Sequence, residues 1–104
     1  MNTTSESLAS IRKLRADKKF VAKSMYPGAP DEKIRLRCEA SVNRLLDDVL
    51  VLLARDASKD VIFGRAKEML DEFSEEDTEE HEQADTYVGE LMRAIGIDDW
   101  TDFI

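Results

Sequence analysis

The sequence predicts an all-α, single-domain bundle of four helices closed by a short C-terminal turn. Three observations carry that expectation. Apolar residues recur at steps of three and four through four separate stretches. Pro, Gly and short polar turns punctuate the gaps between them. No stretch alternates with period two, shows a hairpin dipeptide or repeats internally. A chain of 104 residues falls in the range of one hydrophobic core, which sets the domain as residues 1–104. With 42% hydrophobic and 37% charged residues it has the apolar content of a folded, charge-rich protein and not of a disordered one.

The first helix spans residues 5–23. Thr4 or Ser5 can cap it, and Leu8, Ile11, Leu14, Val21 and Met25 follow helical spacing in a thin stripe. Tyr26-Pro27-Gly28-Ala29-Pro30 then interrupts the chain, because Pro lacks a donor and Gly admits positive φ. The second helix covers residues 30–54, with Pro30 in its first turn and Asp31 and Glu32 against its positive end. Ile34, Cys38, Val42, Leu45, Leu46, Val49, Leu50, Leu52 and Leu53 form its stripe. Towards the C-terminal end they surround the axis, which predicts a central, largely buried helix.

The third helix spans residues 58–73, with Ser58 as N-cap after the turn Arg55-Asp56-Ala57. Its stripe is Ile62, Ala66, Met69, Leu70 and Phe73, flanked by Val61 and Phe63. Ser74 and Asp77 are both candidate caps for the fourth helix, residues 78–95, each with an acid three residues on. Ala84, Tyr87, Val88, Leu91, Met92 and Ile95 line that helix. Gly96 is its stop, and Ile97 supplies the apolar contact that accompanies such an end. Trp100 and Phe103 are expected to fold back on the bundle.

Charge is unevenly distributed. The net charge is −8, yet residues 1–52 carry +3 and residues 53–104 carry −11. No Lys or Arg occurs between Glu68 and Met92. Asp71, Glu72, Glu75, Glu76, Asp77, Glu79, Glu80, Glu82 and Asp85 all lie in that stretch and are the candidate partner-binding residues, suited to a basic protein. A solvated surface that also neutralises the basic half is the plainer account, and acids gather at helix N-termini for local reasons as well. The negative field disfavours nucleic acid and anionic membranes, and the longest apolar run, residues 49–54, is too short to span a bilayer.

No catalytic, cofactor or metal site emerges. Cys38 sits on an apolar helix face as a buried thiol, and one cysteine forms no intrachain disulfide, which points to a cytoplasmic chain. His81 shares a helix face with Asp77 and Asp85, but one His among acids reads as solvated in preference to a metal ligand. The acidic run fails the EF-hand pattern: starting from Asp71, Phe73 and Glu76 fall on positions three and six. Phosphate loops, HExxH, CxxC and GxSxG are absent, so the chain is expected not to be an enzyme and to need no cofactor. The bases Arg12, Lys13, Arg15, Lys18, Lys19 and Lys23 could meet phosphates, but the larger acidic field opposes DNA.

Tyr26-Pro27-Gly28 followed by Asp31-Glu32 and Arg35, then Asp77-Thr78-Glu79, then Tyr87-Val88 with Met92 and Ile95-Gly96-Ile97, resemble a family of small bacterial all-helical proteins of unknown function. The resemblance covers about residues 20–100, leaving the first helix outside; it implies a bacterial source and a helical fold, and supplies no active site to carry over. In kind, an acidic, catalytically silent helical chain is also similar to immunity proteins, whose acidic surfaces block basic toxins. Two expectations follow. One is a non-catalytic protein-binding module, an immunity-like or regulatory inhibitor with a basic protein partner. The other is a structural homodimer that pairs the basic first helix with another subunit's acidic face.

Overall fold

The computed structural model describes residues 4–23, 26–73 and 78–102. Among these are four helices, α1 (Ser5–Ala16), α2 (Glu32–Ala54), α3 (Lys59–Asp71) and α4 (Thr78–Ala94), followed by a 3-10 turn at Trp100–Asp102. There is no strand among the described residues, and the all-α bundle is the observed class. α2 touches all three other helices, with α1 and α3 each lying against both α2 and α4. The core is built from the apolar stripes: Ile11 and Leu14 of α1, Val42 to Val49 of α2, Ile62 to Leu70 of α3 and Ala84 to Met92 of α4.

α1, α2 and α3 each start where the N-cap dictates. Thr4 Oγ1 accepts from the Ser7 N–H at 3.0 Å and Ser58 Oγ from Val61 at 3.4 Å. Asp31 Oδ1 accepts from Ile34 at 2.8 Å, so α2 begins one residue beyond Asp31 and Pro30 lies outside it, a correction to the expected start. The candidate caps Ser74 and Asp77 lie outside the described residues. α4 ends as its sequence requires. Gly96 adopts φ +78, its N–H bonds Arg93 O at 3.1 Å, the Ile97 N–H bonds Met92 O at 2.9 Å, and Ile97 is buried. α2 closes in the same way with Asp56 at φ 54 and Ala57 N–H on Leu52 O.

Two expectations fail for identifiable reasons. α1 stops at Ala16 instead of running to residue 23, because Lys19 turns back and its ammonium donates to the carbonyls of Arg15 at 3.2 Å and Asp17 at 2.8 Å. That contact satisfies the end of the helix and places positive charge where the macrodipole favours it. The C-terminal half of α2 is not surrounded either. Val51 is 49% exposed, and Leu50 and Leu52 are only half-buried, since nothing among the described residues covers that side. Trp100 does fold back, its ring lying beside Gly89, whereas Met25 and Phe103 lie outside the described residues.

Candidate functional site

The segment between α1 and α2 fills the heart of the molecule. Lys19 and Phe20 are both 0% exposed. Phe20 takes φ 60, a left-handed conformation uncommon for an aromatic residue, and this swings its ring inward. There it stacks on Phe73 at 5.7 Å and meets Tyr87 edge-on at 5.2 Å, while its N–H donates to the Tyr87 hydroxyl at 2.9 Å. α2 holds the preceding peptide from one side. Glu39 Oε2 accepts from the Lys19 N–H and Arg35 Nη1 donates to the Lys19 carbonyl. Arg35 also donates to Glu39 at 2.8 Å and to Glu32, so one guanidinium holds both carboxylates.

Electrostatics follow from these contacts. Burial pushes the Glu39 carboxyl up, but the Lys19 N–H and the Arg35 guanidinium outweigh it and hold the group below the ordinary range. Burial lowers Lys19 against the opposing pull of Glu39. The Tyr26 hydroxyl donates to Glu80 Oε2 at 2.9 Å, and burial together with that bond raises the phenol above its usual value. Gly28, at φ +91, packs so close to the preceding chain that a Cβ added to it would lie 3.1 Å from the Ala22 nitrogen.

Of the expected partner-binding residues, Glu80 is corrected. It is 2% exposed, on the inward side of α4, and is bonded to Tyr26, so it offers nothing to a partner. Glu72 is exposed but committed, since Arg44 Nη2 donates to it at 3.1 Å. Glu75, Glu76 and Asp77 lie outside the described residues. Asp71 at the end of α3, and Glu79 and Glu82 on the outward face of α4, are exposed, with Asp85 half-buried along its edge. Among the described residues these four carboxylates make no ion pair or side-chain hydrogen bond.

The two halves of the chain neutralise each other only in part. Arg44–Glu72 and Arg65–Asp48 join the two halves, but Arg15–Asp47 and Arg35–Glu39 lie within the basic half and Lys59–Asp99 within the acidic one. No group of three or more His, Cys, Asp or Glu side chains converges as a metal cage among the described residues, and Cys38 is buried as expected. No helix among them is long and apolar enough to cross a membrane.

A family model, described as a domain of unknown function (DUF4844), matches residues 2–102. The chain belongs to the DUF4844 family. The match takes in α1, so the DUF4844 unit begins earlier than the expected residue 20, which fits α1 being packed on α2 and α4. Comparisons with curated proteins and with solved structures give no match. Within this DUF4844 chain the residues that sequence reasoning missed are structural: Lys19, Phe20, Arg35 and Glu39. Glu80 carried a usable signal, because it falls four residues before Ala84 and seven before Tyr87 on the same apolar stripe.

Proposed function

We propose that this chain is a non-catalytic bacterial protein-binding module, an immunity-like or regulatory inhibitor that acts in the cytoplasm and presents an acidic face to a basic protein partner. The described part of the face is Asp71, Glu79, Glu82 and Asp85; Glu75, Glu76 and Asp77 belong to the same acidic run of the sequence and lie outside the described residues. The observation that carries the reading is that the four described carboxylates are left unpaired in a stretch without a single Lys or Arg. Such a surface accelerates encounter with a positively charged cleft and raises the cost of wrong partners.

The test is affinity capture from the source cell at low and high salt, with the wild type beside the variant Glu79→Lys/Glu82→Lys/Asp85→Lys. A basic protein retained by the wild type, released as salt rises and lost by the variant is the expected result. Equal retention of the same protein by both chains, or capture of none by either, overturns the reading.

A further inference from the structure

The apolar stripe of α4 begins only at Ala84. Before it, Glu79, Glu80, His81, Glu82 and Gln83 offer no apolar side chain to hold the start of the helix on the bundle. Two polar side chains are buried there instead, Glu80 at 2% exposure and Gln83 at 8%. The Tyr26 hydroxyl reaches Glu80 from the segment between α1 and α2. Seven residues further along α4, the Tyr87 hydroxyl accepts from the Phe20 N–H of the same segment. At 1.5 Å per residue the two bonds lie about 10 Å apart along the helix. Phe20, stacked on Phe73 and fully buried, is the fixed end of this attachment, and Tyr26 is the outer end.

Between those ends the segment closes into a loop. The Ala29 N–H donates to Phe20 O at 3.2 Å, and Lys23 and Tyr26 exchange two backbone bonds at 2.7 and 3.2 Å. Among the described residues beyond Phe20, Tyr26 is the one large side chain that the loop buries fully. Lifting the loop takes the phenol from Glu80, and unwinding α4 takes the carboxylate from Tyr26. Either movement breaks the same bond and uncovers the same two side chains, so once one side has opened the other has little left to lose. We propose that the loop after Phe20 and the first two turns of α4 form one cooperative unit, latched by Tyr26 and Glu80, that opens as a whole at lower free energy than the bundle. Glu79 and Glu82 ride on this unit. Whatever binds them in the closed state also steadies the loop, and loosening the loop weakens that surface in turn. The proposal stands on these bonds and not on the inhibitor reading.

Residue-resolved hydrogen exchange tests it on four chains: wild type, Tyr26→Phe, Gly28→Ala and Ser58→Ala. The amides of Lys23, Tyr26 and Ala29 report on the loop. Those of Glu82, Gln83 and Ala84, the first to bond within the helix, report on the start of α4, and Leu46 and Leu91 report on the bundle. In the wild type the loop and α4 reporters should share one level of protection, below that of Leu46 and Leu91. Gly28→Ala strains only the loop, where a Cβ would lie 3.1 Å from the Ala22 nitrogen, yet it should speed exchange of the α4 reporters roughly tenfold, as should Tyr26→Phe. Ser58→Ala removes the α3 cap, so it should speed Leu46 and Leu91 and leave both reporter sets at their wild-type rates. Circular dichroism verifies that each bundle is intact. Glu82, Gln83 and Ala84 amides that ignore Gly28→Ala overturn the proposal, because the helix start then frays alone. Reporters that follow Ser58→Ala as closely as Leu46 does overturn it too, because they then open only with the whole bundle.

Discussion

Replacing Glu39 isolates the clamp that seats Phe20. Its Oε2 accepts from the Lys19 N–H at 2.8 Å and from Arg35 Nη1 at 2.8 Å. Glu39→Gln keeps a neutral acceptor for the backbone donor and loses only the charge assistance, which costs about 1–1.5 kcal/mol. Glu39→Ala removes both bonds and leaves the Lys19 N–H unsatisfied in a buried segment, a loss of about 3 kcal/mol. For a domain of this size that lowers Tm by roughly 12–20 °C. Urea denaturation followed by far-ultraviolet circular dichroism measures both variants, with the slope expected to stay constant.

The pH dependence supplies a second readout. Because the folded carboxyl titrates below its unfolded value, near ~4.3, its contribution is fully present above about pH 5. It is lost as pH falls through the folded value. The stability gap between wild type and Glu39→Gln should hold from neutral pH down to about 5 and then narrow. A gap that stays constant to about pH 3, or an alanine variant no worse than the glutamine one, would refute the clamp.

The remaining predictions concern the same segment and the surface. Tyr26→Phe withdraws the 2.9 Å bond to buried Glu80 and should cost about 1–3 kcal/mol, with denaturation midpoints as the check. Gly28→Ala and Gly96→Ala both force a side chain into positive φ, at about 1 kcal/mol each. Only Gly28→Ala adds a clash, with the Ala22 backbone, so it should melt lower than Gly96→Ala, and equal melting temperatures would contradict that account. Glu82→Lys and Asp85→Lys touch no structural partner and should leave stability within ~0.5 kcal/mol by thermal melting, even where they abolish partner capture.

How far the fold could be read from the sequence depended on whether periodicity or insertion set the structure. The stripes of α2, α3 and α4 place nearly every apolar residue of those helices correctly, and Gly96-Ile97 marks a real helix end, because local hydrogen bonding decides both. The segment after α1 was not legible by the same means. Lys19 and Phe20 continue a helical pattern plausibly enough, and only long-range partners, Glu39, Arg35, Phe73 and Tyr87, make the left-handed turn at Phe20 preferable. Leu50 and Leu52 depart the other way: they belong to the stripe read as surrounding the axis, but nothing among the described residues covers them fully and they stay half-buried.

The acidic run shows why a charge count alone misleads about a site. Glu80 looks like its neighbours in composition, yet its position on the α4 stripe turns it inward to receive the Tyr26 hydroxyl, while Tyr87 one face along receives the Phe20 N–H. The Tyr26-Pro27-Gly28 and Tyr87-Val88 patterns that suggested a family thus converge on one packing knot that seats the irregular segment. Once Glu80 is assigned to that knot and Glu72 to Arg44, Asp71, Glu79, Glu82 and Asp85 remain as described acids of the run with no internal task. Holding several like charges on one surface costs stability through repulsion, and beyond the helix end that favours Glu79 no side-chain partner among the described residues offsets it. A partner's positive charge would, and for that reason the reversal experiment should target these four positions and leave Glu80 untouched.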